Sequence, residues 1–227
     1  MKGFQETKNS ICTQAIGTKR YLIVLHIILL TIFSPQILKA QLTELKLGLK
    51  AGINISNAYD AVGESFAADS KIGYVFGASL SIPLDKTFGI QPELLYSQKG
   101  FHSTGKISGK SYNFTRTTNY LDVPLQFQLK VFKFVSILAG PQYSYLISTN
   151  DEFKTGEITP DQQNKITLDN NTKNAFSLVT GIDLKIKHFL ISGKLNWDLV
   201  SNSDNSSSTS PRYKNQWQQI TFGYMFN

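Results

Sequence analysis

The side chains able to do chemistry are few. Beyond residue 40 the chain carries two histidines, His102 and His188, and no cysteine, because Cys12 lies nearer the start. A metal centre needs several nitrogen, sulfur or carboxylate donors converging on one point. A nucleophile needs a base within hydrogen-bond reach. The two histidines fall near opposite ends of the elements described below, so each reads as a solvated rim residue with no partner for acid–base work. No glycine-rich loop opens a helix to cradle a phosphate. Asp151, Glu152, Glu157 and Asp161 cluster in one long polar stretch, but their spacing matches no calcium loop and reads as solvated. The expectation is therefore a chain that is not an enzyme, with no catalytic residue, no cofactor and no metal.

A second set of charges is more informative. Lys50, Glu93, Lys99, Asp122, Asp183, Lys185, Lys194 and Asp198 all fall on the polar face of otherwise apolar segments. If that face is enclosed, these charges must pair, because an isolated buried charge is costly. The expectation is an interior charge network built on Lys50, Glu93, Asp122, Lys194 and Asp198, with Lys50 and Lys194 near Glu93 and Asp122. Such a network plugs a narrow interior. A path for a solute or proton is the alternative.

The segments that carry these charges repeat with a period of two. In residues 44–56, Leu45, Leu47, Leu49, Ala51, Ile53 and Ile55 take one face and Lys46, Gly48, Lys50, Gly52, Asn54 and Ser56 the other. Successive side chains of a strand point to opposite faces, so this is a two-faced strand. Segments 71–82, 88–100, 119–131, 135–147, 174–186, 189–200 and 215–226 repeat the pattern. Leu125 and Leu178 fall on the apolar face, Gln126 and Ser177 on the polar one. Eight strands of about twelve residues are long for a soluble sandwich and suit tilted strands crossing a bilayer. Short connections around Asp85-Lys86, Lys133 and Lys187-His188 alternate with long ones at about 57–70, 101–118, 148–173 and 201–214. That alternation is the pattern of an outer-membrane barrel. The fold class expected is all-β: an eight-stranded antiparallel transmembrane β-barrel. Pro92, Pro124 and Pro141 interrupt strands, and bulges are expected there. Within the last long connection, Ser201 to Ser210 reads as a flexible polar linker.

The front of the chain differs. Residues 21–33 are thirteen mostly apolar residues behind Lys19-Arg20, followed by Ser34-Pro35 and then by Leu38-Lys39-Ala40. This is the order of a secretory signal peptide, with cleavage expected between Ala40 and Gln41. The run is short for a transmembrane helix, which needs about 20 apolar residues. Residues 41–227 would then form the barrel domain. The leader also explains the charge. Of the +7 formal net charge, the first forty residues hold five basic side chains against Glu6. Eighteen basic and fifteen acidic residues remain, which removes the main support for a nucleic-acid partner.

A secreted soluble β-barrel that binds a small apolar ligand is the rival architecture. Such a barrel turns its apolar face inward. Here the polar face carries many Gly and Ser, small enough for a narrow interior, and the other face is Leu, Ile, Phe and Tyr almost without charge. Tyr74, Tyr143, Trp197 and Tyr224 are on this outer face, where aromatic side chains anchor barrels at membrane interfaces.

Four segments resemble the PorT-like outer-membrane β-barrel family of Bacteroidetes. They are Gln91-Pro92-Glu93-Leu94-Leu95-Tyr96-Ser97-Gln98-Lys99-Gly100, Tyr120-Leu121-Asp122-Val123-Pro124-Leu125, Leu138-Ala139-Gly140-Pro141-Gln142-Tyr143 and Phe222-Gly223-Tyr224-Met225-Phe226. The resemblance covers about residues 45–227 and accounts for the strand prolines. Asn227 departs from it, following the aromatic with which many outer-membrane chains end. The resemblance implies fold and outer-membrane location, and a link to envelope biogenesis or protein secretion. The function expected is a structural or loop-mediated binding role, with a narrow ion or small-solute channel as the alternative. The partners expected are the lipid bilayer, the barrel-assembly machinery during insertion, and a protein or glycan ligand at the extracellular loops.

Overall fold

The computed structural model describes residues 45–60, 68–107, 110–153, 173–201 and 213–226. The leader, its junction at Ala40 and Gln41, Glu157, Asp161 and residues 202–210 lie outside the described residues. The barrel unit runs from Leu45 to the C-terminus.

Eight strands form it: β1 (Lys46–Asp60), β2 (Ala68–Pro83), β3 (Phe88–Ile107), β4 (Lys110–Phe132), β5 (Val135–Phe153), β6 (Asn174–Ile186), β7 (Phe189–Asp198) and β8 (Tyr213–Met225). Each pairs antiparallel with its neighbour in sequence, and β1 closes on β8 from Gly48↔Met225 to Asp60↔Tyr213. Closure leaves no unpaired edge, as a bilayer without water demands.

The period of two decides which side chains enter. Leu125 is 51% exposed and Gln126 fully buried; Leu178 is 46% exposed and Ser177 1%. Leu, Ile, Phe and Tyr cover the outside, and the enclosed residues are mostly Ser, Asn, Gln, Thr, Lys and acids. This sets aside the soluble alternative, because a water-borne barrel cannot leave its apolar face outside and its polar face within. Tyr74 and Tyr96 stack on the outside with ring centroids 6.0 Å apart, and Phe76 joins them at 5.3 Å from Tyr96.

Two expectations need correction. Residues 101–118 are not a long loop: β3 runs to Ile107 and β4 begins at Lys110. The connections expected at 57–70 and 148–173 also shorten, because β1, β2 and β5 extend into them, and the one expected at 201–214 shifts toward β7, which ends at Asp198 while β8 begins at Tyr213. The strands continue past the apolar band as a raised wall on the loop side, where outward residues such as His102, Thr104 and Thr115 are polar. The prolines do not sit at bulges either. Partners are matched at Pro92↔Leu125 and resume at Leu95↔Asp122 in unchanged register, and likewise from Pro124↔Gln142 to Phe127↔Ala139. A proline removes one donor from the ladder, and the pairs on either side hold the register. The register shifts lie elsewhere, between Ser70 and Val75 against β3, and between Asn119 and Tyr120 and between Lys130 and Phe132 against β5.

The first shift has a visible brace. Gly100 takes a φ of +153°, which favours glycine. Its N–H donates to Ser56 Oγ at 2.9 Å, and the Ser56 hydroxyl donates back to the Gly100 carbonyl at 2.8 Å. Ser56 belongs to β1 and Gly100 to β3, so this contact reaches past β2. At the other end, Asp85 accepts from the amides of Phe88 and Thr87, each at 2.6 Å. Those two donors hold its carboxyl below the ordinary carboxylate range.

Candidate functional site

The enclosed polar side chains form three tiers. Nearest the short turns, Glu93 of β3 takes Lys194 Nζ of β7 at 2.7 Å on each oxygen and Lys50 Nζ of β1 at 2.8 Å. Gln91 Nε2 bridges Glu93 Oε1 at 3.0 Å and Asp183 Oδ2 at 2.9 Å. One carboxylate thus faces two ammonium groups, and Asp183 supplies further negative charge nearby. Burial of a charge is tolerable when paired and hydrogen-bonded in this way.

The middle tier is built on Lys99. Its Nζ lies 3.0 Å from each oxygen of Asp122. It also sits 3.7 Å from the ring centroid of Trp217 and 4.6 Å from that of Tyr120, the arrangement of a cation over aromatic faces. Asp198 lies nearby in a cradle of neutral donors: the Ser177 hydroxyl at 2.6 Å and Asn215 Nδ2 at 2.7 Å. The charge network is therefore differently wired from the sequence expectation. Lys50, Glu93 and Lys194 do meet. Asp122 pairs instead with Lys99, and Asp198 has no ion pair among the described residues. Which inward residues meet across a barrel depends on its stagger, which strand periodicity does not reveal.

The third tier closes the loop-side mouth, and sequence reasoning missed it. Arg116 of β4 makes a two-pronged contact with Asp151 of β5, 2.8 Å at each prong, and Nη1 donates to the Tyr213 hydroxyl at 3.2 Å. Tyr213 packs edge-on to Phe101 at 5.0 Å, and Phe114 and Ala58 complete a small apolar cluster. The expectation of a loop over residues 101–118 passes over Phe101, Phe114 and Arg116. The signal was present: Phe114, Arg116, Thr118 and Tyr120 continue the inward parity of β4. Asp151, considered above as a calcium ligand, has both oxygens engaged by Arg116.

The histidines stand apart. His102 Nδ1 is 2.9 Å from Thr115 Oγ1 on the loop-side wall. His188 Nδ1 is 3.3 Å from the Met225 carbonyl in the β6–β7 turn, its ring stacked on Tyr224. Among the described residues no group of three or more His, Cys, Asp or Glu side chains could hold a metal ion. Lys185 has inward parity but stops half-buried at the turn-side mouth.

What the three tiers do together is fill the barrel. Leu138, Val179 and Gln126 have no exposure, and Lys99, Leu95 and Trp217 have 2% or less. Eight strands enclose a space that side chains can just occupy, and here they do.

The family comparison agrees with the fold. The model of the outer membrane protein beta-barrel domain family matches residues 39–204. Among solved structures, Ail, the attachment invasion locus protein of Yersinia pestis, is 12% identical over 80% of this chain and 98% of its own, with a TM-score of 0.45. Neisserial surface protein A is 9% identical over 79% and 97%, with a TM-score of 0.45. OprG from Pseudomonas aeruginosa is 13% identical over 80% and 96%, with a TM-score of 0.43. No curated protein matches the chain in sequence.

Proposed function

Because the chain belongs to the outer membrane protein beta-barrel family, we propose that it is a sealed outer-membrane barrel whose work is done by its loop-side connections, as a structural or binding protein. The observation that carries this is the filled interior, in which Lys99 lies over the Trp217 ring and Lys99, Gln126 and Trp217 have almost no exposure. A barrel so packed offers solutes no path, and among the described residues no set of side chains suited to catalysis is assembled. What remains to act are the connections beyond β1, β3, β5 and β7, and β1, β3 and β5 run on past the apolar band toward them. In an outer-membrane barrel these face outward from the cell, and exposed connections on a rigid scaffold are where binding residues concentrate. The partner class is a protein or glycan met at that surface.

Export follows from the leader, with cleavage between Ala40 and Gln41, and insertion from the barrel-assembly machinery. Kinship with the PorT-like barrels of Bacteroidetes rests on the four strand segments quoted above. A role in envelope biogenesis or protein secretion rests on that kinship alone.

A narrow channel is the second reading. It is favoured by buried polar atoms without a protein partner, among them both amide atoms of Gln126, Trp217 Nε1 and Thr221 Oγ1. Single-channel recording of the purified protein in planar bilayers separates the two. A sealed barrel gives a flat trace. Stable stepwise openings would overturn the sealed interior and support the channel.

A further inference from the structure

The two rims of the barrel differ in charge. On the loop side, Asp69, Asp151 and Glu152 stand among Lys71, Arg116, Lys173 and Lys214. On the turn side, Lys46, Lys86, Lys130, Lys133, Lys185 and Lys187 face one described carboxylate, Asp85, which is occupied by the amides of Thr87 and Phe88. Lys86, Lys133 and Lys187 sit at the exposed tips of the three short turns. Lys46, Lys130 and Lys185 come from β1, β4 and β6, with inward parity, and converge half-buried at the mouth. Lys185 lies within electrostatic reach of both Lys46 and Lys130, all of like charge. None of the six has an ion-pair partner among the described residues. Asp183, the next inward residue below Lys185, is already held by Gln91.

The lysines are interleaved with exposed apolar side chains. Phe132 and Phe134 flank Lys133, 61% and 58% exposed, with stacked rings 6.0 Å apart. Leu84 precedes the Asp85-Lys86 turn, and Ile186 and Phe189 bracket Lys187-His188. These side chains end the apolar outer band, so the turn lysines stand at headgroup height. The short turns of an outer-membrane barrel face the periplasm.

We propose that this rim is a seat for anionic phospholipid headgroups of the periplasmic leaflet. The tip lysines Lys86, Lys133 and Lys187 bind lipid phosphate from outside the wall, and the mouth lysines Lys46, Lys130 and Lys185 raise the potential around them. A compact ammonium binds phosphate as a point charge, and each lysine near an anionic membrane surface adds attraction that counter-ions screen. Phe132 and Phe134 fix the depth at which Lys133 meets the headgroups, as the aromatic girdle of an outer-membrane barrel does at its interface.

The test offers the purified full-length barrel, folded in zwitterionic detergent, an equimolar mixture of phosphatidylglycerol and phosphatidylcholine. Native mass spectrometry then counts the lipids retained. Phosphatidylglycerol is expected to be retained preferentially. The preference should fall on the order of tenfold or more in K86Q/K133Q/K187Q and persist in the loop-side triple K71Q/K173Q/K214Q. Equal retention of the two lipids in the wild type, or an equal loss in both triples, would overturn the proposal. Displacement of phosphatidylglycerol by excess inorganic phosphate would overturn it in favour of a small-anion site. Folding of each variant is read from its mobility on gels before and after boiling. If the triple does not fold, Lys133→Gln alone must still lower the preference.

Discussion

Lys194 Nζ stands 2.7 Å from both oxygens of Glu93, although the two residues come from strands that share no ladder. Glu93 is on β3, which pairs with β2 and β4, and Lys194 is on β7, which pairs with β6 and β8. The contact therefore spans the lumen, and Lys50 from β1 completes it at 2.8 Å. Removing the carboxylate leaves two buried ammonium groups without their main partner, and breaking a buried pair from one side costs about 3–5 kcal/mol. Glu93→Ala should lower the stability of the vesicle-folded barrel by that order. Lys194→Met should cost less, because Glu93 keeps Lys50. Urea titrations monitored by gel mobility measure both. A Glu93→Ala barrel as stable as the wild type would mean that this contact does not brace the lumen.

Depth in the bilayer sets a second contrast. Leu125 faces outward between the β4–β5 turn and the loop-side wall, whereas Phe134 sits in the turn itself. Arginine on the lipid face costs about 2–4 kcal/mol at the midplane and about 0–1 near the interfaces. Leu125→Arg should therefore destabilise the vesicle-folded barrel well beyond Phe134→Arg. Equal costs would place the apolar band elsewhere along the strands.

Leu125 and Gln126 also mark what could be read from the sequence. Their alternation assigned both faces of every strand, because lipid outside and a polar lumen inside give neighbours opposite character. The same logic fails above the bilayer. At Thr115, Arg116 and Thr117 neither face meets lipid, so the outer residues lose their apolar signature and the strand looked like a loop. The enclosed charges show a further limit. Their inward direction was legible, yet the partner of Asp122 was not, because the Lys99 contact depends on how the adjoining strands are staggered. Prolines 92, 124 and 141 misled for a related reason: a local rule about donors does not register the pairs that hold the ladder on both sides.

Two strand glycines should respond oppositely to the same change. A Cβ added at Gly140 would fall on the Leu125 carbonyl oxygen of the neighbouring strand, while one added at Gly193 meets nothing within 4 Å. Gly193 faces outward on β7. Gly140→Ala must push β4 and β5 apart and should destabilise by about 1–3 kcal/mol, as overpacking does. Gly193→Ala should be neutral or stabilise by about 0.4–1 kcal/mol through lost freedom of the unfolded chain. Paired urea midpoints decide it, and similar losses at both positions would count against the β4–β5 approach.

The leader yields a prediction that needs no structure. The apolar run ends at Pro35, and Ala40 supplies the small residue required just before the cut. The intact mass of the membrane-borne protein should begin at Gln41. A mass retaining residues 1–40 would make the segment an anchor.

The sealed lumen can be tested by opening it. Lys99, Trp217 and Tyr120 meet at one level, the ammonium over both rings, and Asp122 holds it from the side. If side chains rather than strand number close the passage, truncating this group should leave a conducting gap. Trp217→Ala with Tyr120→Ala removes the two largest of them, and keeping Lys99 and Asp122 leaves the ion pair intact, so folding is spared an unpaired buried charge. In planar bilayers the wild type should stay silent, and the double variant, once shown to be folded by gel mobility, should give small unit steps. The remaining Lys99 is positive and sits beside Asp122, so selectivity between anions and cations should be weak, and Lys99→Met should shift it toward cations. A folded double variant that stays silent would move the seal to another tier, with Lys50, Glu93 and Lys194 the next to truncate. A wild type that conducts would remove the ground on which the loop connections were given the functional role.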